Sequence, residues 1–172
     1  MTHDRISVRE GGQVLTFSFS TLLSYHGGGF PGGVVHALKA MQAGFPALGE
    51  GPLPRRDIHV LTAFTGPGGR DAVECVTRAL TDGRYSVDRA LGGKDVISDP
   101  PGPYVWRFTL GHRRVAVTIR PGHVRPEFVS LGAMSSRTAA QDARLEILKH
   151  ELADRLLPLA AQDIYEVRPV DG

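Results

Sequence analysis

The chain has 172 residues, of which 41% are hydrophobic and 22% are charged, and its formal net charge is +2. These values predict one folded domain with its own core and exclude a disordered or low-complexity chain. The small charge, with no Lys/Arg stripe with interleaved aromatics, argues against a nucleic-acid partner, and the lack of a long apolar run argues against a membrane span. The single cysteine and the absence of an apolar leader predict a cytoplasmic location.

The amino-terminal segment has two interpretations. Apolar residues at 6, 8 and 14–19 flank Glu10-Gly11-Gly12, a pattern that predicts a short β-hairpin. A helix over part of 16–25 is the alternative. In either case, residues 1–12 are a candidate flexible extension.

Further along the chain, the spacing of apolar residues predicts alternating helices and strands. Helices are expected at 34–43, 71–80 and 138–157, and strands at 58–61, 85–87, 104–110 and 115–119. The Pro- and Gly-rich stretches 44–54 and 92–103 are expected to be surface insertions. The predicted fold class is α+β, a single domain over residues 1–172 with helices packed on a mixed sheet.

Two glycine-rich loops each lead into a predicted helix. The first, 25–33, reads Tyr-His-Gly-Gly-Gly-Phe-Pro-Gly-Gly, and the second, 65–71, reads Thr-Gly-Pro-Gly-Gly-Arg-Asp. Because glycine loses the most entropy on ordering, such loops indicate that backbone approaches another group closely. A helix start also presents free N–H groups and the positive end of the helix dipole, which suit an anion. The two loops therefore predict one shared pocket.

These loops resemble the two motifs of the family formed by the E-subunit of formylmethanofuran dehydrogenase and its stand-alone relatives. The family motif Phe-His-Gly-His-x-Cys-Pro-Gly falls on 25–32, and Asn-Asp-Ala-Cys-Gly-x-Asp-Ala falls on 65–72. Later stretches, including 164–167, also look like the family's strands, so that the resemblance covers roughly residues 14 to 170. It implies an E-subunit-like fold and, because relatives are commonly dimeric, a homodimer.

The resemblance does not extend to the family's metal ligands. Gly28 and Phe30 stand in place of its second His and its Cys, and Gly68 stands in place of the second-motif Cys. One remaining imidazole, that of His26, is too few for a zinc or iron site, so no metal is predicted. No cofactor is predicted either, because nucleotide-binding motifs are missing, although an axial haem ligand stays an open role for His26. Phe30 is expected to fill the vacated cavity or to form a wall of the pocket.

The predicted site is a pocket for a small anion, centred on His26 as general acid or base. The two loops and a later cationic turn supply the candidate ligand-binding residues, which are Gly27, Gly28, Phe30, Gly32, Gly33, Gly68, Gly69, Arg70, Asp71, Arg120, His123 and Arg125. Asp71 has a second interpretation as a helix-start residue that binds its own loop. His36 and His59 are interpreted as core or edge histidines.

Two classes of function follow from this site. The first is an enzyme or binding protein of small-molecule metabolism that takes a carboxylate- or phosphate-bearing metabolite. The second is a non-catalytic accessory or regulatory subunit that keeps the fold for assembly. The retained His26 and the glycine loops favour the first class.

Overall fold

The computed structural model describes residues 3–92 and 104–171. The insertion predicted over 92–103 lies outside these residues, apart from its first position. The strands are β1 (Arg5–Glu10), β2 (Gln13–Ser18), β3 (Leu53–Pro54), β4 (His59–Thr62), β5 (Tyr85–Val87), β6 (Val105–Leu110), β7 (Arg113–Ile119) and β8 (Tyr165–Pro169). They form a three-stranded sheet of order β2-β1-β3 and a five-stranded sheet of order β5-β4-β6-β7-β8. The larger sheet is mixed, because β4 and β5 are parallel and its other neighbours are antiparallel.

The helices are α1 (Phe19–His26), α2 (Pro31–Leu48), α3 (Pro67–Thr77), α4 (Pro126–Ala133), α5 (Ala139–Leu156) and α6 (Ala161–Ile164). Their starts follow known capping preferences. Ser18 caps α1 by accepting a hydrogen bond from the Thr21 amide, and Thr138 and Gln141 form a capping box at α5. Helices α2, α3 and α4 each begin with proline, whose missing N–H has no partner to lose at that position.

Helix α2 is the centre of the core. Its residues Val34, Leu38 and Met41 are fully buried, and Phe45 packs edge-to-face on Phe108 of β6 with ring centroids 5.3 Å apart. Gly44 permits this close approach, since a Cβ there would lie 2.8 Å from the Phe108 ring. With helices packed on a mixed sheet, the predicted α+β class is confirmed.

Three expectations from the sequence need correction. At the amino terminus, both the hairpin and the helix are present, and Val8 of β1 is fully buried, so residues 5–10 are not a flexible extension. The stretch 44–48 is the last part of α2 rather than an insertion, because its apolar side packs on the sheet. Helix α3 begins at Pro67, four residues before the predicted start at Asp71, since the Gly-Gly segment is itself helical.

Among residues 3–92 and 104–171, no helix combines the length and the apolar character needed to span a bilayer.

Candidate functional site

The two glycine loops are joined by one side-chain hydrogen bond. His26 is the last residue of α1, and its Nδ1 lies 2.8 Å from Oδ2 of Asp71 in α3. The two residues are 45 positions apart in the chain. The imidazole is 8% exposed and the carboxylate 23%, so the pair lies at the edge of the core with one side accessible.

Gly27 and Gly28 place His26 by ending α1. Both have positive φ, 93° and 87°, a conformation that side-chain-bearing residues rarely adopt. The Gly27 and Gly28 amides donate to the Leu23 carbonyl, the usual way to satisfy the last carbonyls of a helix. No atom approaches within 4 Å of a Cβ built at either glycine, so this turn is open on its outer side.

Three other motif glycines, Gly32, Gly33 and Gly68, let helices touch. A Cβ at Gly33 would lie 3.1 Å from the Gly69 amide nitrogen, and a Cβ at Gly68 would lie 2.6 Å from the Phe30 carbonyl oxygen. A Cβ at Gly32 would lie 2.9 Å from Leu152 of α5. The side-chain positions of these glycines therefore face protein rather than an open pocket, and their contact brings the starts of α2 and α3 together.

Asp71 holds His26 in one orientation. Burial acts to raise the pKa of Asp71, but the hydrogen bonds from His26 and Arg70, together with the charge of Arg70, outweigh burial and lower it. The carboxylate is thus ionised near neutral pH and accepts from Nδ1–H of His26. Among the described residues the hydrogen bonds of the imidazole use only Nδ1. Its Nε2 is therefore available to a substrate or ligand.

Arg70 is bound to the same carboxylate. Its Nε donates to Oδ1 of Asp71 at 3.0 Å, while half of its side chain stays exposed. Arg70 stands near the start of α3, where the helix dipole disfavours a cation. The adjacent Asp71 carboxylate compensates for this unfavourable position. The alternative interpretation of Asp71 requires a hydrogen bond from its carboxylate to the backbone of its own loop. Among the described residues no such bond occurs, and its two oxygens bind the side chains of Arg70 and His26.

Phe30 lies beside His26, and Lys149 lies over Phe30. The ring of Phe30 is 5.7 Å from that of His26 between centroids, and Nζ of Lys149 is 4.6 Å from the Phe30 ring centroid. Phe30 is 44% exposed, so the first alternative, that its ring fills the vacated cavity, is wrong, whereas its place as a wall of the pocket stays a prediction. Lys149 was not predicted from the sequence, because only the packing of α5 against the start of α2 brings it near Phe30.

The side chains of the cationic turn 120–125 bind other parts of the chain. Nε of Arg120 donates to the Gln162 carbonyl, Nε2 of His123 contacts the Asp163 carbonyl oxygen at 2.8 Å, and Arg125 pairs with Glu151. Within the described ranges, no hydrogen bond or ion pair joins these three side chains to His26 or to the glycine loops. Their predicted place in the His26 pocket therefore has no contact to support it.

His36 occupies a separate, fully buried position. Its Nδ1 lies 2.8 Å from the Tyr165 hydroxyl, and its ring is 4.5 Å from that of Tyr104 between centroids. Burial, with smaller effects from the charges of His123 and Arg155, lowers the pKa of His36 to about 3. The interpretation of His36 as a core histidine is confirmed, whereas His59 is exposed on β4.

In the part of the chain that the structure describes, no three His, Cys, Asp or Glu side chains are grouped so that they could hold a metal ion. Comparison with protein-family models finds no matching family, and comparison with curated proteins finds no significant relative. The fold and the site together define an α+β chain with a carboxylate-bound histidine where two glycine loops meet.

Proposed function

We propose that this chain is a stand-alone protein of the formylmethanofuran dehydrogenase E-subunit type that binds a small carboxylate- or phosphate-bearing metabolite and transforms it with His26 as acid or base. The observation that carries the proposal is the hydrogen bond between His26 and Asp71. It connects the two motifs on which the resemblance rests, and it is an arrangement that prepares an imidazole for proton transfer.

The proposed chemistry takes place at Nε2 of His26. With Nδ1–H donated to Asp71, the neutral ring accepts a proton at Nε2 from the substrate and can return it later in the reaction. Asp71 stabilises the imidazolium that forms in between. General acid or base catalysis of this kind typically contributes about a hundred- to ten-thousand-fold in rate.

Two cations near His26 could hold the anionic group of the metabolite. Arg70 is half exposed, and Lys149 lies over the Phe30 ring with Glu146 as its carboxylate partner. Since the Glu146 side chain is 58% exposed, an anion could replace its carboxylate at Lys149 without disrupting the core packing. The converging starts of α2 and α3 add partial positive charge nearby.

A test of this proposal uses inorganic phosphate, acetate and a panel of short hydroxy acids as probes. Binding is followed through the ring proton signals of His26 in NMR spectra, which are assigned by their loss in His26→Gln. We expect saturable shifts of these signals with at least one probe. Lys149→Met should weaken this binding, and Arg114→Met, which removes an exposed cation from β7, serves as the matched control.

Failure of every probe to shift the His26 signals at millimolar concentration would overturn the proposal. Equal weakening of binding by Lys149→Met and Arg114→Met would also overturn the proposal, since the effect of a cation on binding would then not depend on its place near Phe30. Either result favours the second class of function, an accessory or regulatory subunit.

A further inference from the structure

A cavity of about 490 Å³ lies between strand β1 and the second half of helix α2. Its lining comes from the first half of β1, from the end of α2 with the loop 49–51 that follows, and from Leu53 of β3. Neither Asp71 nor Phe30, the two residues beside His26, belongs to this lining. The volume falls in the range of small-molecule sites, roughly 300–1,000 Å³. The cavity is therefore a candidate binding site separate from the glycine loops.

The floor of the cavity is apolar and belongs to the core. Met41 is fully buried, and Phe45 and Leu53 are buried almost as completely. The Phe45 ring is held by its edge-to-face contact with Phe108 on the sheet. Because these side chains pack tightly within the core, the floor is formed before any ligand binds. Such a floor suits the apolar body of a ligand.

Gln42 places a hydrogen-bond acceptor in the wall of the cavity. Its amide nitrogen donates to the carbonyls of His3 and Arg5, at 3.2 and 2.8 Å. These two bonds fix the orientation of the side-chain amide, since only its nitrogen can donate to a carbonyl. In the described residues, no donor bonds the amide oxygen of Gln42. This oxygen is therefore available to a donor on a ligand.

The end of α2 adds backbone acceptors. Gly49, which follows the helix, has a φ of 176° and does not form a left-handed cap. Among the described residues, no backbone N–H donates to the carbonyls of Pro46 and Ala47, whereas the Leu48 carbonyl accepts from Arg113. The last turn also contains no basic residue. Its free carbonyls carry the negative end of the helix dipole, which favours a cation.

The charged side chains of the lining leave one negative charge uncompensated. Glu50 is exposed at the rim, and no ion pair or hydrogen bond of the described residues involves its carboxylate. Arg5, the cation of the lining, is paired with Asp4 at 3.4 Å. The Ser7 hydroxyl is already hydrogen-bonded to Thr16, at 2.7 Å between the oxygens. A positively charged ligand group therefore complements the cavity better than a negative one.

We propose that this cavity binds a small apolar molecule that carries a primary ammonium group. The ammonium lies near Glu50 and the free carbonyls at the end of α2, and the apolar body lies on Met41 and Phe45. Three N–H donors of an ammonium match this set of acceptors. A neutral apolar molecule would cover the acceptors without bonding them, and a carboxylate would meet the Glu50 carboxylate. The site takes a charge opposite to that of the anion proposed for His26 and does not depend on that proposal.

The test uses the methyl group of Met41 as the reporter. The chain has 3 methionines, so ¹³C labelling of their methyl groups gives a simple NMR spectrum in which Met41→Leu identifies the Met41 signal. The probes are 2-phenylethylamine, 2-phenylethanol and 3-phenylpropionate, which share a phenyl ring and differ in the charge of the end group. We expect a saturable shift of the Met41 signal with the amine. The dissociation constant should be at least ~10-fold larger for the alcohol, because hydrogen bonds to charged groups are stronger, and the acid should cause no shift.

Two variants locate the ammonium. Glu50→Gln should raise the dissociation constant of 2-phenylethylamine at least ~5-fold, because it removes the charge of the acceptor. Asp154→Asn removes the same charge from an exposed position on α5 and should leave the dissociation constant unchanged. A Met41 signal that does not shift with the amine at millimolar concentration overturns the proposal. Equal affinity for the amine and the alcohol, or equal effects of the two variants, overturns it as well.

Discussion

The buried imidazole of His36 should make the folded chain sensitive to mild acid. The pKa of His36 is about 3 in the fold, against an ordinary value of 6.5. Between these values the unfolded chain binds a proton that the folded chain cannot bind, so stability falls as the pH falls. The loss is about 1.4 kcal/mol per pH unit below 6.5 and reaches about 2 kcal/mol at pH 5 relative to pH 8.

Urea unfolding at pH 8 and pH 5 measures this loss. Trp106 is the only tryptophan of the chain and is fully buried, so its fluorescence reports loss of the core directly. His36→Asn keeps a hydrogen-bonding group near the Tyr165 hydroxyl but does not titrate. The free energy of unfolding should therefore fall with acid by about 2 kcal/mol more in the wild type than in His36→Asn.

His59→Asn is the matched control, because His59 is exposed and its replacement should leave the pH dependence as in the wild type. An identical pH dependence in the wild type and in His36→Asn would show that His36 titrates normally in the fold. The assignment of His36 to a dry, uncharged core position would then be untenable.

Three further changes test the packing. Gly68→Ala should lower the free energy of unfolding by about 1–3 kcal/mol, because its Cβ would lie 2.6 Å from the Phe30 carbonyl oxygen. Gly29→Ala has open space around its Cβ and should change the free energy of unfolding by less than about 1 kcal/mol. Urea unfolding of both variants measures the difference. Lys39→Met removes three hydrogen bonds from Nζ to the carbonyls of His3, Leu157 and Leu159, and calorimetry should show a loss of about 2–4 kcal/mol. Thr138→Ala removes the cap of α5 and should cost about 1 kcal/mol in the same measurement, an effect that Ser135→Ala, outside the helix, should not reproduce.

The sequence predicted those elements whose pattern is local. Apolar spacing identified α2, α3, α5 and most strands because one face of each packs on the core. Helix α4 was not predicted, because none of its residues is buried and its sequence therefore has no strong periodicity of apolar residues. The end of α2 was predicted too early, since Gly44 suggests a loop and only the approach of Phe108 explains a glycine inside the helix.

The candidate site was predictable in part for the same reason. His26 and Asp71 each stand out within a glycine loop, but nothing in either loop indicates that the two side chains bind each other across 45 positions. That contact depends on how α1 and α3 pack. Lys149 was not predictable at all, because it belongs to a long helix whose charged residues look alike in the sequence.

Gly28 and Gly68, which stand where the motifs of the resemblance carry metal ligands, are not equivalent. The resemblance would place a thiol at position 68, yet a Cβ there would lie 2.6 Å from the Phe30 carbonyl oxygen, inside the contact between α2 and α3. Position 28 has open space but a φ of +87°, which a histidine rarely adopts. A cysteine at position 68 would separate the two helix starts, and α3 carries the Asp71 that binds His26. The close packing that excludes the thiol thus also maintains the His26–Asp71 pair, and for this reason we expect the chemistry of the site to be that of a carboxylate-bound imidazole.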